Sequence, residues 1–287
     1  MGAKFGPAGN SESFSAKYKS TVEAPEFLKK MGLDHYEYQC GRGVRVSDKL
    51  ADSLRKRAQK HKISLSLHAP YFISLSSIDE EKRSNSINYI LQSCEAALKI
   101  GADRIVIHSG SCSKMSREEA MCYAEETLKN ARQEAVARGY EAVHFCPETM
   151  GKVNQLGNLE EVLRLCQIDD TFIPCIDFGH LNARTLGGIK GREDYLDILN
   201  KIENELGTDR LKIFHSHFSK IMYTDPGGEK KHLTFEDSVY GPEFEPLMEL
   251  VAQKDLSPIF ICESAGTQAE DALTMKKSYM SFDTERI

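Results

Sequence analysis

Tryptophan is absent from this chain, and so are several other features that would narrow its class. No stretch approaches about 18 consecutive apolar residues, which excludes an apolar membrane-spanning helix. The opening residues, Met1 to Pro7, lack the long apolar core of a secretory leader, so a cytoplasmic location is expected. Eight cysteines are present, but never as Cys-x-x-Cys. They sit mostly inside strand or helix patterns, as buried reduced thiols rather than a disulfide framework or a thiolate-zinc site. A cation excess is missing too: 37 Lys and Arg face 43 Asp and Glu, a net charge of −6. Taken alone, that argues against a nucleic-acid partner, because phosphate binding relies on positive charge. Divalent ions would reverse the local sign, since two or three of them add about +4 to +6 beside carboxylates. Low-complexity segments and internal linkers are also lacking, so one domain over residues 1–287 is the simplest count.

What is present is one repeated grammar. Pro174-Cys175-Ile176-Asp177-Phe178-Gly179-His180 reads as a short buried strand that ends in an acid, followed by a turn and a histidine. The same pattern delivers His68, His108, Glu148, His215 and Glu263 at the ends of five other apolar runs. Strands are expected near residues 4–9, 35–40, 63–70, 104–109, 142–148, 172–177, 211–218 and 257–263. Helices alternate with them, among them 47–61, 79–100, 117–138, 195–205 and 268–280, and 224–231 reads as a Gly-rich charged loop. Such alternation means a parallel sheet with crossover helices. Eight units over this length predict an α/β fold, a single closed (β/α)8 barrel.

In that architecture active sites sit at the C-terminal ends of the strands, where all these acids and histidines fall. Period-two alternation places Ser64, Ser66 and His68 on one face and Leu65 and Leu67 on the other. Ile213, His215 and His217 likewise oppose Phe214. The collected set is His68, His108, Glu148, Asp177, His180, His215, His232 and Glu263. Five histidines and three carboxylates exceed what one tetrahedral zinc uses. A carboxylate can bridge two ions, so a cluster of two or three is expected. The ligand types favour Zn2+, with Mn2+ or Fe2+ as substitutes, over Mg2+ or Ca2+. Paired ions stabilise attacking and leaving oxygens in phosphoryl displacement and lower the pKa of bound water to about 7. Phosphodiester hydrolysis is the leading chemistry, with Glu148 and Glu263 as the acids closest to it.

These motifs resemble endonuclease IV, the zinc-dependent apurinic/apyrimidinic endonucleases of the xylose-isomerase-like TIM-barrel superfamily. The likeness covers nearly the whole chain and is closest to short archaeal-type members. It rests on the ligand motifs together with Phe-Gly-Pro-Ala-Gly at 5–9, Gln-Cys-Gly-Arg-Gly at 39–43 and Lys-His-Leu at 231–233. The resemblance implies that His68, His108 and Glu148 hold a first ion. Glu148, Asp177, His215 and Glu263 then hold a second, and His180 and His232 a third. It implies incision of duplex DNA 5′ to an abasic site by a hydroxide bridging two ions, in base excision repair, by a monomer. Tyr71 and Arg42 match the residues that such enzymes insert beside the abasic nucleotide.

One departure stands out. The family's third-ion motif, Asp-x-His, would place an aspartate at 230, where this chain has Lys230. Glu229 or His217 could fill the gap, or the third site could be weak or empty. Two other readings stay open: a sugar isomerase or epimerase of the same superfamily, and a metal-stabilised damaged-DNA binder without turnover. The absent tryptophan and the histidine-rich set count against the isomerase, whose sites are carboxylate-rich with an aromatic wall.

Overall fold

The computed structural model describes residues 2–283. Eight parallel strands form one sheet in the order β1-β10-β7-β6-β5-β4-β3-β2. They are β1 (Lys4–Pro7), β2 (His35–Gln39), β3 (Ser64–His68), β4 (Arg104–His108), β5 (His144–Glu148), β6 (Cys175–Asp177), β7 (His215–Phe218) and β10 (Ile259–Cys262). The sheet curls into a nearly closed barrel. Its seam is joined by an Ala8–Glu37 bridge and by Asp34 N–H donating to the Phe5 carbonyl at 3.0 Å. Gly6 permits that approach, because a Cβ there would lie 2.0 Å from the His35 carbonyl oxygen.

Helices surround the barrel: α1 (Glu12–Ser15), α2 (Ala24–Met31), α3 (Asp48–His61), α4 (Glu80–Ile100), α5 (Arg117–Ala137), α6 (Leu159–Cys166), α7 (Phe178–Arg184), α8 (Arg192–Leu206), α9 (Thr208–Lys212), α10 (Glu245–Gln253) and α11 (Gln268–Asp283). Their starts carry the expected chemistry. Ser47 and Asp79 cap α3 and α4, and Ser116 with Glu119 forms a reciprocal capping box on α5.

Alternation divides the buried residues into two populations. Leu65, Leu67, Ile105, Ile107 and Phe145 point outward into the large core beneath the helices. Inside the barrel, Val106, Cys146, Ile173 and Cys175 form a small apolar plug. The inner face opposite carries His35, Glu37, Ser66, His215 and His217, all fully buried. The cysteines are all free thiols, every one buried except Cys122, as read from the sequence.

Three elements differ from expectation. The run 211–218 is not one strand: Thr208–Lys212 forms a short helix after Gly207, whose φ of +87° favours glycine, and β7 begins only at His215. The interval 224–231 is not an open loop. Most of it belongs to an antiparallel hairpin of β8 (Ile221–Thr224) and β9 (Gly228–His232). Finally, α7 follows Asp177 without a loop, because Asp177 is itself the N-cap.

Candidate metal centre

Glu148, the last residue of β5, lies at the middle of the barrel mouth, 1% exposed. Four imidazoles surround its carboxylate. Oε1 lies 2.9 Å from His217 Nδ1 and 3.5 Å from His180 Nδ1. Oε2 lies 3.3 Å from His68 Nε2 and 3.4 Å from His108 Nε2. Burial opposes the charge, but His217, His180 and His68 outweigh it and hold the Glu148 carboxyl well below its usual range.

Asp177 ends β6 and spends one oxygen on structure: Oδ1 accepts the His180 backbone N–H at 2.7 Å. Its other oxygen, Oδ2, is buried outside hydrogen-bond geometry, 3.1 Å from His180 Nδ1. A buried anionic oxygen is costly unless a cation meets it, and without metal the His180 imidazolium fills that role. Glu263, just past β10, lies 3.4 Å from His217 Nδ1. Burial raises its pKa, partly offset by His217 and His232.

A third group sits beside these. Glu229 lies 3.4 Å from His180 Nε2 and 3.8 Å from His232 Nε2. Glu229 and His232 are three apart in β9 and would face opposite sides of a regular strand. The hairpin register slips between Met222 and Tyr223, pairing Met222 with Lys231 and Tyr223 with Glu229. Lys230 is therefore the extra residue of a bulge, which turns Glu229 and His232 to the same side. Lys230 itself is exposed to solvent.

Three of these imidazoles are tied down through Nδ1. Nδ1–H of His68 donates to the Ala69 carbonyl at 2.8 Å, and that of His180 to the Thr149 carbonyl at 2.9 Å. His232 Nδ1 meets the Ser219 hydroxyl at 2.8 Å. These bonds leave the three Nε2 atoms facing the carboxylates, the arrangement ligating histidines need.

Of the residues expected from the sequence, His68, His108, Glu148, Asp177, His180, His232 and Glu263 converge here. His215 does not. Strand register sets His217 beside Asp177 at the mouth and His215 beside Cys175 one rung deeper. There His215 Nε2 bonds Glu37 Oε2 at 2.9 Å. Within β7 it is thus His217 that reaches Glu148 and Glu263. Ligand-type atoms lie within 4.8 Å of one another in three sets at the mouth: His68/Glu148/His217, Glu148/Asp177/His217/Glu263 and His180/Glu229/His232. Three adjoining sets, two of them sharing Glu148 and His217, suit a cluster of divalent ions.

Sequence reasoning passed over Glu37. The signal was present, since alternation along His35-Tyr36-Glu37 turns His35 and Glu37 inward as it does Ser66 and His68. Lys152, Gln155 and Gln268 were missed as well. They line the mouth cavity of about 550 Å3, Lys152 and Gln155 from a loop and Gln268 from the start of α11, where no strand-end pattern marks them.

Tyr71 stands at the rim, 54% exposed, with its ring stacked on His108 at 5.4 Å. Its hydroxyl donates to Gln39 at 3.3 Å. Gly41 makes room for it, since a Cβ there would lie 2.3 Å from the ring. Arg42 is exposed and lines an adjoining cleft of about 400 Å3 with Arg45 and Tyr71.

A parallel α/β barrel with a histidine–carboxylate cluster at its C-terminal mouth defines a class of metal-site barrels. Within that class the chain belongs to the xylose isomerase-like TIM-barrel family, whose model matches residues 25–279. It is 32% identical over 95% of both chains to an uncharacterised protein of Methanocaldococcus jannaschii. It is 25% identical to a probable endonuclease 4 of Mycoplasma pneumoniae, over 83% of this chain and 80% of that protein. Among solved structures, a D-tagatose 3-epimerase-like protein superposes with a TM-score of 0.70 at 18% identity, covering 99% of each chain. Endonuclease IV from Thermus thermophilus superposes with a TM-score of 0.65 at 17% identity, over 98% of this chain and 99% of that one. At these identities the two structures speak to the fold alone. No helix among the described residues is long and apolar enough to cross a membrane.

Proposed function

We propose that this chain is a divalent-metal-dependent endonuclease that incises duplex DNA at abasic sites. The observation that carries this reading is Glu148 among four imidazoles, with two further ligand sets adjoining it. His68, His108 and Glu148 would hold a first ion. Glu148, Asp177, His217 and Glu263 would hold a second, with His217 in the place expected of His215. His180, Glu229 and His232 would hold a third, with Glu229 replacing the family's aspartate. Zinc suits this donor set best, with Mn2+ or Fe2+ as substitutes. When bound, such ions supply a water deprotonated near neutral pH and positive charge at the phosphorus.

The protein's own groups do the rest. The tied imidazoles fix where ligand nitrogens point. Tyr71 offers an exposed aromatic face at the rim, and Arg42 and Arg45 offer charge to the DNA backbone. The low overall cation count is met locally by the ions. The whole chain acts as one domain, as a monomer in the cytoplasm.

A second reading, a sugar epimerase, is favoured by a mouth cavity of about 550 Å3, room enough for a monosaccharide. A duplex with one abasic site, incubated beside a panel of ketohexoses, separates the two. Incision 5′ to the lesion without sugar conversion is expected. Epimerisation without incision would replace the endonuclease reading.

A further inference from the structure

Among the described residues, Glu37 is the one fully buried carboxylate at the mouth's floor that none of the ligand sets includes. It lies mid-strand in β2, one rung below Gln39, and β2 supplies no residue to those sets. Ser66 donates to its Oε2 at 2.8 Å and His215 Nε2 meets the same oxygen at 2.9 Å. Gln39 donates to Oε1 at 3.1 Å. Oε1 also lies 3.0 Å from His217 Nε2, a charge contact outside hydrogen-bond geometry. His217 therefore stands between two carboxylates, with Glu37 on its Nε2 edge and Glu148 on its Nδ1 edge.

We propose that Glu37 is a positioning residue for the metal centre, setting the orientation and basicity of His217 from beneath. The comparison with the other imidazoles carries the argument. His68 and His232 present Nε2 inward and are tied through Nδ1 to neutral groups, the Ala69 carbonyl and the Ser219 hydroxyl. His217 presents the opposite nitrogen, and its outer partner is an anion. A carboxylate behind an imidazole orients it and raises its donor strength. Glu37 is the carboxylate at the Nε2 edge, and its charge opposes a ring flip that would present Nε2 upward instead. Burying a carboxylate costs several kcal/mol unless it is paired, and here Ser66, Gln39 and two imidazoles pair it. Ser66 and His215 hold Glu37, and Glu37 in turn faces His217.

This inference rests on the metal-centre part of the proposed function and is independent of whether the substrate is DNA or sugar. The test uses the zinc-loaded full chain and two readouts other than activity. One is the rate and amount of zinc released to a colorimetric chelator. The other is the rise in Tm that zinc brings over the metal-free protein. Glu37→Leu removes charge and acceptor; Glu37→Gln keeps an acceptor oxygen. One ion per chain is expected to weaken by about 10- to 100-fold in Glu37→Leu, and less in Glu37→Gln. The zinc-induced Tm rise should shrink in the same order. If Glu37→Leu fails to fold, Ser66→Ala should give a smaller change of the same sign. Unchanged zinc retention in all three variants overturns the proposal. So does a lower metal-free Tm with an unchanged zinc-induced rise, which would make Glu37 a packing residue only. A wild-type chain that binds no zinc would instead sink the metal-centre reading, and this proposal with it.

Discussion

Glu148 touches ligand atoms from β3, β4, β7 and α7, so its removal disturbs more of the mouth than any single histidine would. Glu148→Gln keeps the shape and removes the charge. Turnover on abasic duplex is expected to fall by at least about 100-fold, with loss of bound metal; wild-type rates in a single-turnover incision assay would contradict its role. The pH behaviour follows from His180. Burial lowers its pKa, but Asp177, Glu148 and Glu229 prevail and push it up to about 10, against an ordinary 6.5. In the metal-free protein this proton stabilises the fold fully below about pH 6.5, and the contribution fades as pH rises through about 10. Metal binding needs the neutral imidazole. Zinc affinity is therefore expected to rise between about pH 7 and 9, with proton release seen by calorimetry in buffers of different ionisation enthalpy. Binding without proton release would contradict the charged His180. At this scale the sequence was only partly legible. Residues at strand ends were readable, whereas choosing His217 over His215 needed the strand register, which only the folded barrel supplies.

The β8–β9 hairpin shows how an element can rescue a broken motif. A Lys at 230 looks like a lost ligand when the chain is read by spacing alone. The bulge turns that side chain to solvent and brings Glu229 to His180 and His232. Lys230→Ala should therefore leave metal stoichiometry unchanged, and Glu229→Ala should remove about one ion per chain, as elemental analysis would show. The reverse pattern would restore Lys230 to the site and discard Glu229. The β5–α6 loop, residues 149–158, is held just as firmly. Arg184 donates to the carbonyls of Met150, Lys152, Val153 and Gln155, and Arg117 donates to Val153 and Gln155 while pairing with Glu161. That clamp sets Lys152 and Gln155 over the cavity. Arg184→Met is expected to raise KM several-fold with a smaller change in kcat; steady-state kinetics showing an unchanged KM would reduce the clamp to a stability device. Neither hairpin nor clamp was legible beforehand. A five-residue strand of Gly-Glu-Lys-Lys-His has no apolar alternation, and loop carbonyls leave no trace in side-chain pattern.

The barrel as a whole was legible because two periodicities reinforce each other. Alternation within strands such as Ser64–His68 sorts ligands from core, and the strand–helix rhythm fixes a parallel sheet with one functional end. The inner polar face with Glu37 and His35 carried the same alternation but was passed over, since neither residue falls at the C-terminal end of its strand. At this scale the substrate is tested by salt. A phosphate-contacting mouth predicts abasic-duplex affinity that falls steeply from about 50 to 200 mM salt; a flat response would favour a sugar-sized substrate. The most direct test of the central claim joins elemental analysis of the purified protein to incision of a single-abasic-site duplex before and after chelation. Two or three divalent ions per chain, with incision lost on chelation and regained on adding zinc, is the predicted result. A chain that carries one ion or none, or that cuts unaffected by chelator, would contradict a multi-ion centre built around Glu148.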